Sequence, residues 1–235
     1  MRICLLVVIV LVFSLAISSC QKELDPYTPQ TGTDSTGIPV DTTGVDSSSA
    51  GEFQPVTAGS SWTYKDSASG AETTNSIGDS TKVINNILFR KYLSTNSSQA
   101  GWIASPGPDY YVVAQSTNPT TNTSFDLTFY YLNDTASAGS SFNYTAATST
   151  GFAVTTKTTI VAKDLTVTVE GKTYTDVIQT HIDISYNVLG QVSDYGGYDY
   201  YMAKGIGFIK IRTLTNVNGV SVVQSCLNLS DYTIK

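Results

Sequence analysis

The sequence predicts an all-β fold: a strongly curved antiparallel meander sheet, half-barrel or barrel-like, standing behind a disordered tether. Three observations carry this expectation. Apolar and polar residues alternate with period two over long stretches, Gly, Asn and Ser turns separate those stretches, and a helical stripe at i, i+3, i+4, i+7 is hard to find. The exception is one helical turn expected around 79–86.

Taken in order, strands are expected at 62–67, 83–93 and 110–115, each rich in Thr, Val, Ile or Tyr. In the next, Phe125, Leu127, Phe129 and Tyr131 share one face while Asp126, Thr128 and Tyr130 take the other. Strands at 142–146 and 152–162 follow. Leu165–Val169 and Thr173–Tyr174 read as a hairpin closed by Glu170, Gly171 and Lys172. Ile178, Thr180, Ile182, Ile184 and Tyr186 form another buried-type face, with Gln179, His181, Asp183 and Ser185 turned away. Strands at 200–202, 208–214 and 221–229 complete roughly ten to twelve, enough for a curved sheet or barrel. Asp and Gln on the outer faces speak against a barrel embedded in lipid.

The N-terminus specifies an address. Arg2, the apolar run Ile3–Ile17 and the small residues Ser18 and Ser19 have the layout of a secretory signal peptide over residues 1–19. The apolar run is shorter than the roughly 20 residues a spanning helix needs. Ile17-Ser18-Ser19-Cys20 resembles the bacterial lipobox, which implies cleavage before Cys20 and acylation of that residue. Multiple acyl chains hold a protein firmly, whereas one binds only marginally. Lys22-Glu23 just after Cys20 is similar to the surface-export signal of Bacteroidota lipoproteins, although Leu24 separates the acidic pair Glu23 and Asp25. The resemblance implies the outer membrane and a surface-facing protein, against the alternative of retention on the periplasmic side. The expected membrane contact is the N-terminal lipid alone.

Residues 20–52 are expected to be the lipidated cysteine and a linker, and 53–235 a single β domain. The linker is rich in Thr, Ser, Asp and Gly and carries Tyr27 as its sole aromatic residue. It has too little apolar surface to offset the entropy of ordering. From Asp25 to Glu52 it would hold the domain roughly 30 Å from its anchor.

Composition excludes several function classes. Loss of residues 1–19 leaves 12 of the 13 basic residues against 19 acidic ones, a net charge of −7. An acidic chain without a basic cluster is unsuited to nucleic acid and to anionic lipid head groups. Of the three cysteines, Cys4 leaves with the signal peptide and Cys20 is lipidated, so Cys226 has no intrachain partner and burial must stabilise the fold. No cofactor is expected. His181 is the single histidine, which excludes multi-His zinc or iron sites and leaves too few ligands for a Cys/His zinc site. A Cys226–His181 dyad is chemically conceivable. The strand pattern instead favours a buried inert Cys226 and an exposed His181. There is no Gly-x-Ser-x-Gly elbow. Asp34-Ser35-Thr36-Gly37 and Asp41-Thr42-Thr43-Gly44 have one residue too many for an aspartic-protease motif and lie in the linker.

The aromatic signal is stronger. Asp194-Tyr195-Gly196-Gly197-Tyr198-Asp199 places Tyr rings and carboxylates on or beside an expected Gly-rich loop, where they could stack on sugars and bond their hydroxyls. Trp102, near Pro106-Gly107-Pro108, adds another aromatic on an expected loop. Trp102, Tyr195, Tyr198 and Asp199 are therefore the candidate ligand-binding residues, against the alternative that the tyrosines pack locally. A further set, Ser35, Thr42, Ser67, Ser80 and Thr135, each after an Asp, resembles the O-glycan acceptors of Bacteroidota.

Three short segments carry a family resemblance. Phe53–Tyr64 with Trp62, Glu170–Ile178 with Tyr174, and Tyr201–Lys210 with Gly205 and Gly207 resemble signatures of β-rich outer-membrane lipoproteins of Bacteroidota. The resemblance implies a sheet similar to the curved half-barrel of periplasmic lipoprotein carriers, which hold acyl chains in a groove. Fold likeness alone transfers no activity. The functional expectation is a non-catalytic binding module for a glycan or an apolar ligand, with a structural or partner-scaffolding envelope protein as the alternative. An enzyme comes third, since no acid–base constellation emerges.

Overall fold

A computed structural model describes residues 51–97, 100–117, 123–149 and 151–235, and every regular element in them is a strand. The strands are β1 (Ser61–Asp66), β2 (Glu72–Ile84), β3 (Ile87–Ser94), β4 (Gly101–Ala104), β5 (Asp109–Thr117) and β6 (Ser124–Asn133). They continue as β7 (Ser141–Ser149), β8 (Phe152–Val169), β9 (Lys172–Val188), β10 (Gln191–Ala203), β11 (Gly207–Val217) and β12 (Val220–Thr233). All pair antiparallel in one sheet of order β6-β5-β4-β3-β2-β1-β12-β11-β10-β9-β8-β7. This is a meander in which chain neighbours are sheet neighbours, with β1 and β12 joining its two arms. The expected signal peptide, Cys20 and the expected linker through residue 50 lie outside the described residues.

The sheet curls until its ends β6 and β7 approach, giving a nearly closed barrel. Side chains bridge this seam. Thr158 Oγ1 donates to the Tyr130 carbonyl at 2.6 Å, and Lys163 Nζ reaches the Asp134 and Ala136 carbonyls at 2.7 and 3.1 Å. Ring pairs reinforce it, Tyr130 on Phe142 at 4.3 Å and Phe125 on Phe152 at 5.4 Å. The two edge strands are thereby shielded from pairing with other chains.

Tight turns make so many reversals feasible. Four two-residue hairpins, Asn85-Asn86, Glu170-Gly171, Leu189-Gly190 and Asn218-Gly219, have positive φ at both positions. That is the type I′ geometry whose twist matches antiparallel strands. The hairpin expected at Glu170-Gly171 is present. The Asn85-Asn86 turn, by contrast, splits what the β-rich composition of 83–93 suggested was one strand. The helical turn expected around 79–86 is strand β2 running into that turn, because cross-strand pairing with β3 supplies its hydrogen bonds.

The inner face holds the core. Ile178, Thr180, Ile182 and Ile184 are buried while Gln179, His181 and Asp183 face outward, as alternation predicts. Large rings fill the interior: Trp62, Tyr64, Tyr110, Tyr131 and Tyr174 are almost wholly buried. Burial pushes the hydroxyls of Tyr64, Tyr131 and Tyr200 well above the usual phenol range. Trp62 Nε1 donates to the Ile206 carbonyl at 2.6 Å, and the Tyr64 hydroxyl to the Phe208 carbonyl at 3.0 Å. Both bonds tie β1 to the β10–β11 turn.

The segment 194–199 is strand, not loop. Its two glycines allow β10 to pass unusually close to its neighbours. A Cβ on Gly197 would stand 1.8 Å from the Ile182 carbonyl oxygen, and one on Gly196 2.2 Å from that of Leu214. The register also slips between Asp194 and Gly196, a bulge that bends the strand there. Gly197→Ala is expected to destabilise the barrel by about 3 kcal/mol through this clash. Chemical denaturation midpoints of the two proteins measure it, and an unchanged midpoint contradicts the close approach.

Candidate functional site

The bend at Gly196-Gly197 opens a cleft of about 480 Å³ on the outer face. Gly196, at the bulge where the register slips, lines this space and presents bare backbone to it. Side chains of Asn143 from β7, Lys157 from β8, Asp183 and Ser185 from β9, Asp194 from β10 and Asn216 from β11 line the space. They offer amide, hydroxyl, ammonium and carboxylate groups, a mixture suited to a ligand with many hydroxyls.

Next to the cleft runs a row of charges. Register places Thr159, His181, Asp199, Arg212 and Cys226 opposite one another across β8 to β12. His181 Nδ1 contacts Asp199 Oδ1 at 2.6 Å, and Arg212 Nη1 contacts Asp199 Oδ2 at 3.3 Å. On its other side, His181 Nε2 meets Asp183 Oδ1 at 3.0 Å. Asp199 is thus a buried carboxylate held between the Arg212 guanidinium and the His181 ring, the partners that a buried charge requires. The His181 pKa is raised, first by its hydrogen bond to Asp199 and then by the charges of Asp199 and Asp183, against the effect of its burial. His181 is only partly exposed and fully engaged, which corrects the expectation of an exposed strand histidine. The Cys226–His181 dyad does not form. Cys226 is buried, and Asp199 and Arg212 stand between the two residues in the row.

A smaller outer-face cleft, about 300 Å³, lies where Trp102, Lys82, Gln115 and Asp126 meet. Trp102 is on β4, not on a loop, and packs beside Phe89, Ala104 and Val113. Lys82 Nζ sits 5.7 Å from its ring centroid and 3.8 Å from Asp126 Oδ2.

The four ligand-binding candidates therefore do not share one surface. Tyr198 points inward, edge-on to Phe129 at 5.9 Å and stacked with Tyr200 at 5.4 Å. Its neighbour Asp199 points outward into the ion cluster, because successive strand residues face opposite sides. Tyr195 is 64% exposed at the bulge, with its ring against Tyr186. Trp102 belongs to the other arm of the sheet, six strand positions from β10 in the sheet order. Sequence reading missed Lys157, Asn143 and Asn216. The outward phase of alternation marks such positions, but only strand register shows that they converge beside Gly196. Of the modification candidates, Ser67, Ser80 and Thr135 are exposed, and Thr135 Oγ1 donates to Asn133 Oδ1 at 2.8 Å. Ser35 and Thr42 lie outside the described residues. Among the described residues no cluster of three or more His, Cys, Asp or Glu could hold a metal ion.

No protein-family profile matches the chain, and no curated protein sequence matches it. Among solved structures, the crystal structure of a candidate lipoprotein from Parabacteroides distasonis is similar to the chain with a TM-score of 0.45 and 12% identity, covering 79% of this chain and 100% of that one.

Two predictions follow from this geometry. Tyr198→Ala should lower stability by about 3 kcal/mol, because it empties a packed interior position, while Tyr195→Ala should leave it within about 0.5 kcal/mol. Equal melting temperatures for the two variants would contradict the inward placement of Tyr198. The second concerns pH. A raised pKa in the fold means that the His181 bridge stabilises fully below its unfolded value near 6.5 and loses that contribution as pH rises through the higher folded value. Stability measured across this window should fall in the natural protein and fall less in His181→Gln.

Proposed function

We propose that the protein is a lipid-anchored envelope protein, held in the outer membrane through Cys20, whose barrel binds a polar, hydroxyl-rich ligand such as a glycan on its outer face. The observation that carries the binding reading is the cleft beside Gly196. Strands β7 to β11 all contribute hydrogen-bonding side chains to it, and it is backed by an ion cluster that fixes Asp183. An apolar ligand inside the barrel receives less support, since Trp62, Tyr64, Tyr131 and Tyr174 occupy that space. The anchor is supported by the lipobox-like Ile17–Cys20 segment, and surface exposure by Lys22-Glu23.

Two measurements test this reading. Cys20→Ala should shift the protein from the membrane to the soluble fraction and abolish incorporation of labelled palmitate. Retention of label by that variant rejects the anchor. On a glycan array, the purified protein should bind a defined subset of sugars. Asp194→Ala should weaken that binding about tenfold, the worth of a hydrogen bond to a charged group, without changing the melting temperature. An array with no hits rejects the glycan reading.

One observation supports the scaffolding alternative. Leu189, Val192, Val217 and Val220 are all half or more exposed on the β9–β10 and β11–β12 hairpins, which end side by side. Apolar side chains grouped at hairpin tips suit contact with another protein. Leu189→Glu would disrupt that contact and leave glycan binding intact.

A further inference from the structure

His181 stands between the ion cluster and the cleft, and both of its ring nitrogens face carboxylate oxygens. An ionised carboxylate only accepts hydrogen bonds, and a neutral imidazole has only one N–H to donate. Both contacts can be hydrogen bonds only when the ring carries two protons. Once one proton leaves, a bare nitrogen lone pair faces one of the carboxylates.

The two carboxylates compete unequally for the remaining proton. Asp199 is 10% exposed in its side chain, lies at 2.6 Å and is also held by Arg212. Asp183 is 60% exposed at 3.0 Å. Water can replace the partner of Asp183 but has little access to Asp199, so the proton stays on Nδ1 and the contact to Asp183 is the one that fails. Asp183 also lines the cleft.

We propose that His181 is a proton-operated latch on the cleft: the imidazolium occupies Asp183, and loss of one proton releases that carboxylate toward a bound ligand. The proposal rests on the reading of the cleft as a binding site and names its regulation. The neighbours on every strand are accounted for. Lys157 and Thr159 face the latch from β8, Asp183 from its own β9, Asp194 and Asp199 from β10, and Arg212 from β11. Lys210 is turned to the Tyr201 ring at 5.9 Å, and the Tyr201 hydroxyl and, from β12, the buried Cys226 thiol adjoin Arg212. With His181 protonated, three cations (Lys157, His181 and Arg212) balance three carboxylates (Asp183, Asp194 and Asp199). Deprotonation leaves one excess negative charge beside the cleft. Ligands that donate hydrogen bonds, or that carry an ammonium group, should therefore bind more tightly at higher pH.

The chain has one histidine, so labelling histidine alone gives a single imidazole signal, and labelling aspartate carboxyl carbons lets Asp183 be followed in parallel. In an NMR titration of the detergent-purified protein, the Asp183 carboxyl signal should shift with the same midpoint as the His181 ring. Asp183→Asn should lower the His181 midpoint and leave Nδ1 protonated against Asp199. A His181 titration that leaves the Asp183 signal unmoved overturns the latch, as does deprotonation at Nδ1. The second arm repeats the glycan array at pH 5.5 and 8.5. Binding should rise about tenfold at the higher pH, the worth of one hydrogen bond to a charged group, and should be equal at both pH values in His181→Gln. Equal binding at both pH values in the unmodified protein overturns the coupling. A coupled NMR titration with no array hit supports the proton-driven release of Asp183 and rejects the glycan reading, so the two failures are distinct.

Discussion

The hydrogen bond from Trp62 Nε1 to the Ile206 carbonyl is the constraint on which the barrel depends. It joins residues 144 apart in sequence and spans the interior from β1 to the turn between β10 and β11. Tyr64 repeats the connection one pleat along, through the Phe208 carbonyl. Gln54 is buried against Gly207, where a Cβ would stand 2.8 Å from its side-chain oxygen, and Gly205 donates to the Glu52 carbonyl at 2.9 Å. The start of the described chain is thereby fastened to the same turn. A meander has only local hairpin pairings apart from the single β1–β12 ladder. These long-range side-chain bonds therefore determine how tightly the sheet curls. In this light the segments Phe53–Tyr64 and Tyr201–Lys210, distinctive as sequence, are two halves of one structural contact rather than parts of a binding site.

Alternation made much of the fold legible. Ile178 to Tyr186 and Phe125 to Tyr131 declared both the strand and its buried face, because a period of two cannot place apolar residues on one side by any other regular conformation. What stayed hidden depended on partners remote in sequence. Trp102 sits in a four-residue strand whose only support is pairing with β3 and β5. Asp194 to Asp199 looks like a loop because it contains two glycines and no β-branched residue, yet β9 pairs with it on one side and, from Gly196 onward, β11 on the other. Local composition reports intrinsic preference, and flanking ladders override it. The same limit applies to the site. Tyr198 and Asp199 were grouped as neighbours in sequence, although adjacency in a strand guarantees opposite faces. The cluster of Asp183, His181, Asp199 and Arg212 draws on three strands, and only their register brings it together.

The division between faces also determines where chemistry can occur. The interior is given over to aromatic packing, with hydroxyls such as those of Trp62's neighbours Tyr64 and Tyr131 held neutral by burial. On the outer face, Gly196 and the register slip beside it impose a sharp departure from a regular surface. A sheet with a side chain at every outward position presents an even pleat. Bare backbone at Gly196, and the bulge that bends the strand there, produce a recess walled by the side chains of the flanking strands. From β8 to β11 ladders on both sides hold those walls firmly, except that β10 before Gly196 pairs with β9 alone. Rigid walls favour recognition, since little side-chain or loop entropy is lost when a ligand is held. The ion row beside the recess adds a second property. It couples a surface carboxylate, Asp183, to a buried one, Asp199, through a ring that carries two protons or one. Aromatic packing fills the inside, and the outer face carries the recess that the proposed recognition, and its proposed dependence on pH, would use.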